Sequence, residues 1–314
     1  MVEQLAVGLD VGGTKILGGL VRGADGHVLA QIRLTTPLAD GSAEILRSLV
    51  AAVQKLKARA DDYRSDRIVG IGVASAGHVD WESGEITDGT PNIPGWAGTS
   101  IAANINAATG LPVCCDNDGN AAAWGEAWIG AGQGKRSLVA ITLGTGFGAG
   151  IYDRGHLLRG ERGGGAELGH IILVPDGRPC NCGQQGCVEA YVSGTAISRQ
   201  AQHFWGPTAT TQEVFSRARM ADPIACELTA EFARYLALAL LSIFNICDPE
   251  VILLGGGIAA QADLFLSQVR SRLNRILGGR RWSGEQIQIA ALGERAGMIG
   301  AAGQAIERFG LRHA

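Results

Sequence analysis

The chain has 314 residues and a formal net charge of −3. This length can bury one large core or two medium ones, and the charge gives no electrostatic case for nucleic acid or an anionic membrane as a partner. Hydrophobic residues make up 46% of the chain, which is ordinary for a soluble protein. The start, MVEQLAVGLD, lacks the basic and apolar regions of a signal peptide. The most apolar run, 235–246, is too short to span a bilayer.

Strand and helix patterns alternate along the chain. Short apolar runs between turn residues predict strands, and apolar residues at helical spacing predict helices. The alternation predicts an α/β fold with mostly parallel or mixed sheets. The predicted elements in order are a strand–turn–strand at 7–20, a helix at 42–59, a strand at 68–75, a helix at 100–109, a strand at 111–115, a helix at 120–129, a strand–turn–strand at 140–151, a helix at 227–245, a strand at 251–254 and a helix at 295–309.

Two Gly-rich strand–turn–strand segments resemble each other. They read VGLDVGGTKILGGL at 7–20 and AITLGTGFGAGI at 140–151. Two copies of one unit indicate a duplicated architecture with a nucleotide held between two lobes, and the alternative is a chance likeness of two hairpins. The aligned positions are Asp10 with Thr142, Gly12 with Gly144, and Thr14 with Gly146.

The lobes predicted from this duplication have their boundary near residues 116–120. Residues 1–117 form a smaller lobe with the first phosphate hairpin. Residues 118–297 form a larger lobe with the second hairpin, a metal-binding loop and the segment expected to contact the adenosine of the nucleotide. Residues 298–314 form a C-terminal helix that packs back on the first lobe.

The first hairpin turn has the composition of a phosphate-binding loop. Backbone N–H groups at Gly12 and Gly13 can hold phosphate oxygens, Thr14 adds a hydroxyl and Lys15 a positive charge. Asp10 could orient the water shell of a magnesium ion bound to phosphate. The spacing is not that of a Walker A loop, and the alternative is a plain tight hairpin turn.

A second glycine cluster, 255–257, follows a predicted buried strand and precedes a helix-like run. The backbone of such a turn can approach an adenine or a ribose closely. The alternative is a packing turn at the start of a helix.

The polar run 116–120, Asp-Asn-Asp-Gly-Asn, ends a predicted strand and opens a helix. Ligands of α/β folds bind at the carboxyl ends of strands. A carboxylate there can act as general base towards an attacking hydroxyl, and a neighbouring Asn can orient a polyol. The alternative is helix capping, which Asp and Asn favour.

Thiol and imidazole ligands cluster within a short segment. His170, Cys180, Cys182 and Cys187 form a set typical of tetrahedral zinc, with every position filled by protein and hence a structural role. The alternative is free or disulfide-paired cysteines beside an unrelated histidine. The cysteine usage of the chain fits a reducing cytoplasm. Two carboxylates bracket the cluster, Glu167 and Glu189.

The chain resembles the ROK sugar kinases of the hexokinase/actin/Hsp70 superfamily, and among them the bacterial ATP-dependent glucokinases. The resemblance runs from DVGGTK through LGTGFGAGIYDRGHLLRGERGGGAELGH and CNCGQQGCVEAYVSG to the last helix. It implies a duplicated actin-like ATPase fold (hexokinase/Hsp70/actin), with two lobes around a nucleotide and sugar cleft.

The resemblance also implies residue roles, and these span the whole chain. Asp118 matches the catalytic base, which deprotonates the sugar 6-hydroxyl, and His170 matches a residue that serves both zinc and sugar. The sugar-binding positions are Gly77, Asn92, Asn117, Asp118, Glu167, His170 and Glu189; the phosphate contacts are Gly12, Gly13, Thr14, Lys15, Thr145 and Gly146; the adenosine side is Gly256 and Gly257.

The sequence thus predicts a cytoplasmic ATP-dependent hexose kinase, a glucokinase, with ATP, Mg²⁺ and structural Zn²⁺. The alternatives are an N-acetylmannosamine or N-acetylglucosamine kinase, then a fructose kinase. A sugar-sensing repressor of the family is less favoured, because such repressors carry an extra N-terminal helix-turn-helix domain and the first strand here starts at about Leu5. The resemblance suggests a homodimer or a tetramer, and no nucleic-acid or membrane partner is expected.

Overall fold

The structure, a computed structural model, describes residues 3–60, 67–90, 92–278 and 282–310. The strands are β1 (Gln4–Val11), β2 (Lys15–Arg22), β3 (Val28–Thr35), β4 (Arg67–Ser75), β5 (His78–Asp80), β6 (Glu85–Asp88), β7 (Val113–Asn117), β8 (Ser137–Leu143), β9 (Phe147–Asp153), β10 (His156–Leu157), β11 (Val251–Gly255) and β12 (Ile287–Ile289). The α-helices are α1 (Gly41–Ala60), α2 (Ile101–Thr109), α3 (Asp118–Ile129), α4 (Gly194–Trp205), α5 (Thr211–Arg219), α6 (Pro223–Cys247), α7 (Gly256–Ala259), α8 (Leu266–Leu277) and α9 (Ala296–Phe309).

Two five-stranded sheets share one strand order. The first is ordered β3-β2-β1-β4-β7 and the second β10-β9-β8-β11-β12. In the first sheet β1 pairs antiparallel with β2 and parallel with β4. In the second sheet β11 pairs parallel with both β8 and β12. The duplication predicted from the two Gly-rich segments is therefore confirmed at the level of strand order.

The chain divides into two compact units. The first consists of Met1–Arg136, Gly150–Ala166 and Ala291–Ala314, and the second of Ser137–Ala149 and Glu167–Ala290.

In the first unit the central sheet is covered by helices. Apolar residues of α1 such as Leu49 and Val53 are fully buried in the core beside β1. The C-terminal helix α9 packs on β1 and β4. Strand glycines allow this close approach, since a Cβ at Gly8 would lie only 2.0 Å from the backbone oxygen of Met298.

The compact units differ from the predicted lobe limits of 1–117, 118–297 and 298–314. The predicted limits put helix α3 in the larger lobe, but it packs on α9 within the first unit, whose first segment runs to Arg136. The two helices touch almost backbone to backbone, because a Cβ at Gly300 would lie 1.7 Å from the oxygen of Ala121. Helix α9 contacts β1, and residues 311–314 of the predicted last segment lie outside the described residues.

In the second unit α6 is the central helix. It is 25 residues long, and within the described residues it alone has the length and apolar composition to cross a membrane. The apolar run 235–246, which is too short to span a bilayer, is the later part of this helix. A core helix passes the same test, and α6 buries Leu236 and Leu240 and packs against α5 and α8. Its Phe232 ring meets that of Phe265 edge to face at 5.1 Å. These contacts account for its apolar face.

Candidate active site and metal centre

The first phosphate hairpin is the turn between β1 and β2. The backbone N–H of Gly12 donates to the oxygen of Lys15 at 3.0 Å. The buried hydroxyl of Thr36 donates to the oxygen of Gly12 at 2.7 Å, which fixes the turn from the end of β3. Asn92 lies against the same turn, because a Cβ at Gly13 would be 2.7 Å from its backbone oxygen. Thr36 carried no sequence signal for this role.

Lys15, predicted to contact phosphate, forms an ion pair in this structure. Its Nζ lies 2.7 Å from Oε2 of Glu294, and Arg33 reaches the same oxygen at 3.2 Å. These side chains are partly exposed, and exposed pairs contribute little net stability. An anionic ligand could therefore replace Glu294 as the partner of Lys15 at small cost.

Asp10 and Asp118 interact electrostatically within the first unit. Burial, and then repulsion by the Asp118 carboxylate, raise the pKa of Asp10 to about 7, while the charge of Lys15 opposes the rise. Two mutually repelling carboxylates favour a cation between or beside them. Their oxygens are ligands that magnesium prefers, directly or through its waters.

Asn117 and Asp118 stand at the junction of β7 and α3. Asn117 is the N-cap, and its Oδ1 accepts from Gly119 N at 2.8 Å. Its Nδ2 donates to the oxygen of Gly77, which turns the chain after β4 with φ +98°. Asp118 begins the helix, and its Oδ1 accepts from Gly119 N at 2.8 Å. Asn117 therefore caps the helix with its oxygen, while the carboxylate predicted to act as base belongs to the next residue, Asp118.

Asp116 is the buried anchor of this junction, with 1% of its surface exposed. Its carboxylate accepts from Arg159 Nε at 2.8 Å, from Gln304 Nε2 at 2.7 Å and from Asn120 Nδ2 at 3.1 Å. The Arg159 guanidinium also stacks on the ring of Trp81, 3.8 Å from its centroid. Sequence reasoning missed Arg159 and Gln304, because nothing local to either residue marks it as a partner of the strand end.

The four predicted zinc ligands lie together in the second unit. Their ligand atoms are all within 4.8 Å of one another. Cys180 Sγ is 3.7 Å from His170 Nδ1, and Cys182 Sγ is 3.7 Å from Cys187 Sγ. Tetrahedral zinc with bonds of about 2.0 Å to nitrogen and 2.3 Å to sulfur places these ligand atoms about 3.5–3.8 Å apart. The residues present therefore fit a zinc ion with four protein ligands.

The two nitrogens of His170 face different groups. Nδ1 faces Cys180, whereas Nε2 lies 4.0 Å from Oε2 of Glu167. Metal-binding histidines commonly donate their second N–H to a polar group. A separation of 4.0 Å is too long for a direct hydrogen bond, but a hydroxyl group placed between the two could contact both.

Glu189 joins the metal loop, which carries Cys180, Cys182 and Cys187, to the second phosphate hairpin, the turn between β8 and β9. Its Oε2 accepts from Phe147 N at 2.9 Å, and its Oε1 lies 3.9 Å from Cys180 Sγ. A Cβ at Gly146 would meet the same carboxylate at 2.4 Å. Glu189 therefore holds the end of the hairpin as well as flanking the cluster.

A cavity of about 810 Å³ opens beside the second hairpin. The first turn of α4 holds this hairpin, since Gly194 N donates to Gly144 O and Thr195 Oγ1 to Thr145 O, both at 2.8 Å. The volume suits a nucleotide-sized ligand. The lining residues are Gly144, Thr145, Gly194, Thr195, Ser198, Arg199, Gln202, Thr210, Thr211, Gln212, Phe215, Ser216, Gly257, Ile258 and Gln261.

The predicted site residues fall into two sets, one in each compact unit. The glycine turn after β11 contributes Gly257 to the cavity wall, while Gly256 packs against Leu143 with φ +83°. The first unit holds Asp10, Gly12, Gly13, Thr14, Lys15, Gly77, Asn92, Asn117 and Asp118, and the second holds Thr145, Gly146, Glu167, His170, Cys180, Cys182, Cys187, Glu189, Gly256 and Gly257.

Comparison with known proteins gives one consistent result. The sequence profile of the ROK family matches residues 6–308. A glucokinase of Streptomyces coelicolor is 36% identical, with 96% of this chain and 98% of that protein aligned. The crystal structure of a ROK hexokinase from Thermus thermophilus has a TM-score of 0.86 at 37% identity, covering 97% of this chain and 98% of that one.

A second solved structure carries ligands. It is a ROK family glucokinase from Streptomyces griseus in complex with glucose and AMPPNP, with a TM-score of 0.82, 34% identity, and 96% of this chain and 99% of that one covered. These neighbours have the duplicated actin-like ATPase fold, which confirms the predicted fold class. The chain belongs to the ROK family.

Proposed function

We propose that this chain is an ATP-dependent sugar kinase that transfers the terminal phosphoryl group of ATP to glucose. The observation that carries the proposal is Asp118, which begins α3 beside the capping Asn117 and interacts with Asp10 of the phosphate hairpin strand. The glucokinases among its relatives support glucose as the sugar.

Asp118 acts as the general base. It accepts the proton of the attacking sugar hydroxyl while the oxygen of that hydroxyl bonds to the γ-phosphorus and the bond to ADP breaks. The hydrogen bond from Gly119 N fixes the rotation of the carboxylate, and the positive end of the α3 dipole stabilises its ionised form. Proton transfer is late, because the transition state is loose.

The hairpins bind the phosphates of the nucleotide. Backbone N–H groups at Gly12 and Gly13, with the Thr14 hydroxyl, contact phosphate oxygens. Lys15 exchanges Glu294 for a phosphate oxygen when the nucleotide binds. When bound with the nucleotide, magnesium neutralises charge on the phosphoryl oxygens, and Asp10 is the residue that would hold its water shell. In the second unit, Thr145, Gly146, Gly256 and Gly257 contact the phosphates and the adenosine.

Sugar hydroxyls are bound by polar groups from two sources. In the first unit these are Gly77, Asn92 and Asn117, whose amide has a second N–H beyond the one donated to Gly77. In the second unit Glu167, Glu189 and Nε2 of His170 contact hydroxyls. Zinc, when bound, fixes the loop that carries His170 and Glu189. Polar groups that a bound sugar covers, and that need its hydroxyls as partners, reject sugars that lack those hydroxyls.

A coupled ADP-release assay tests this proposal. Purified protein with ATP and Mg²⁺ is given glucose, mannose, fructose, N-acetylglucosamine or N-acetylmannosamine, and each rate is compared with a sugar-free control. Glucose should give the highest kcat/KM. A preference for an N-acetylated sugar would keep the reaction but overturn the substrate, and no sugar-dependent ADP release would overturn the kinase proposal.

A further inference from the structure

The metal loop reaches the nucleotide cavity through one side-chain pair. Asn181 stands between two of the predicted zinc ligands, Cys180 and Cys182. Its Oδ1 accepts from Nη2 of Arg199 at 3.2 Å. Arg199 lies on α4 and lines the cavity of about 810 Å³. A short path of one hydrogen bond therefore joins the loop that zinc would order to the cavity wall.

Arg199 differs in charge from the rest of that wall. Among the described residues that line the cavity it is the only one with a charged side chain. The other wall residues are neutral. A guanidinium in such a setting offers planar, charge-assisted hydrogen bonds to phosphate or stacks on a base. The side chain is exposed, so its position depends on what holds it.

Helix α4 presents one face to the cavity. Thr195, Ser198, Arg199 and Gln202 all line it, at spacings of three and four residues that place side chains on one side of a helix. The same helix holds the second hairpin through the hydrogen bond that the Thr195 hydroxyl donates to the backbone oxygen of Thr145. Arg199 is therefore on the element that also positions the phosphate-binding turn.

The metal loop also contacts the second hairpin. Glu189, two residues after Cys187, accepts a hydrogen bond from Phe147 N in the hairpin at 2.9 Å. The metal loop thus touches the nucleotide side at two points, the hairpin and α4. Of these, the contact between Asn181 and Arg199 involves no metal ligand and no proposed sugar-binding residue, so it can be changed on its own.

We propose that Arg199 is a nucleotide-binding residue and that Asn181 is the positioning residue through which the zinc loop holds it. This inference rests on the proposed function, because it assumes that the cavity binds the nucleotide. On this proposal the metal loop sets the affinity for the nucleotide as well as the position of the sugar-binding residues. Nucleotide binding in the absence of sugar should then respond to Asn181.

The test is calorimetric titration of ADP into zinc-loaded protein without sugar. Arg199→Ala should weaken ADP binding roughly tenfold, as expected for one lost charge-assisted contact. Asn181→Ala should weaken it about threefold, by an amount smaller than for the direct contact. Asn181→Asp keeps an acceptor for Arg199 and should restore wild-type affinity. Matched controls are Gln184→Ala in the same loop and Arg275→Ala on α8, both exposed.

Two further measurements, of zinc content and of glucose affinity, separate the possible causes of weaker ADP binding. Zinc content measured by mass spectrometry should stay at wild-type level in both Asn181 variants, and glucose affinity should not change. ADP binding by Arg199→Ala equal to that by Arg275→Ala would overturn the proposal. Weak binding by Arg199→Ala with full binding by Asn181→Ala would overturn the part assigned to the metal loop. If wild-type protein bound no ADP and released none from ATP and glucose, the proposed function itself would fail.

Discussion

The buried carboxylate of Asp116 forms an ion pair with the partly buried Arg159, whose Nε lies 2.8 Å from Asp116 Oδ2. The same oxygen accepts from Gln304 at 2.7 Å. Asp116 directly precedes Asn117 and Asp118, so the pair anchors the end of β7 from which the proposed base projects. It is a structural contact that also sets the position of the group proposed as the catalytic base.

Removing the Asp116 carboxylate should destabilise the protein strongly. Asp116→Ala leaves Arg159 and Gln304 without their shared acceptor, and breaking a buried ion pair typically costs about 3–5 kcal/mol. Urea unfolding measures the loss. Asp116→Asn retains one acceptor oxygen and should lose less.

The matched control is Asp25, whose pair with Arg22 at 2.7 Å lies on the surface. Asp25→Ala should change the free energy of unfolding far less than Asp116→Ala, because exposed pairs are screened by water. Equal losses in the two variants would show that the Asp116 network does not anchor the fold.

Asp10 should make the stability of the ligand-free protein fall with rising pH. Its folded-state pKa of about 7 is above the value of 3.8 for an unperturbed Asp, chiefly through burial and then repulsion by Asp118. The folded state therefore binds the proton more tightly, and stability falls as pH rises from about 4 to about 7. Asp10→Asn removes this dependence.

Thermal melts at pH 4.5, 6 and 8 without magnesium or nucleotide test this. The melting temperature of Asp10→Asn should exceed that of wild type by an amount that grows with pH, while kinase activity is lost. Asp153→Asn, at an exposed strand position, is the control and should show no growing difference. An advantage of Asp10→Asn that stays constant over the three pH values would contradict the interpretation.

Zinc content and activity should be lost together when a ligand is removed. Cys182→Ser leaves three of the four ligands, and the loop that carries Glu189 is no longer fixed. Glucose phosphorylation should fall roughly 100-fold, at the upper end of effects seen for groups that support a metal site. Mass spectrometry of the purified protein reports zinc per chain.

Cys226→Ser is the control, because Cys226 is exposed on α6 and lies outside the cluster. It should retain both zinc and activity. Full activity in zinc-free Cys182→Ser would show that the metal does not shape the site.

The features that sequence reasoning found are local ones. Cys180, Cys182 and Cys187 are so close together that their spacing alone indicates a metal site, and Gly12 and Gly13 of the first hairpin are adjacent. The partners of Asp116 could not be predicted in this way, because Arg159 is 43 positions away and Gln304 is 188 positions away. Their side chains converge only after the sheet and α9 have formed.

The bounds of the two compact units could not be predicted from the sequence for the same reason. Motif order suggested a break at residue 117, but α3 belongs with α9 through contacts that depend on the tertiary packing. Glu126 of α3 illustrates this, because its buried carboxylate accepts from the backbone N–H groups of Ala131, Ala291 and Leu292 at 2.8–3.1 Å. A Glu within a predicted helix does not indicate that its carboxylate will accept hydrogen bonds from three backbone N–H groups.

If Asp118 is the general base of a sugar kinase, Asp118→Asn should remove the base and leave the sugar site in place. Glucose-dependent ADP release by the variant is measured beside wild type, with glucose affinity determined by calorimetry on both. Turnover should fall about 10³-fold, within the range for loss of a general base, while glucose affinity should stay within about threefold, because the amide occupies the same position. Turnover within tenfold of wild type, with the same affinity for glucose, would contradict this role of Asp118.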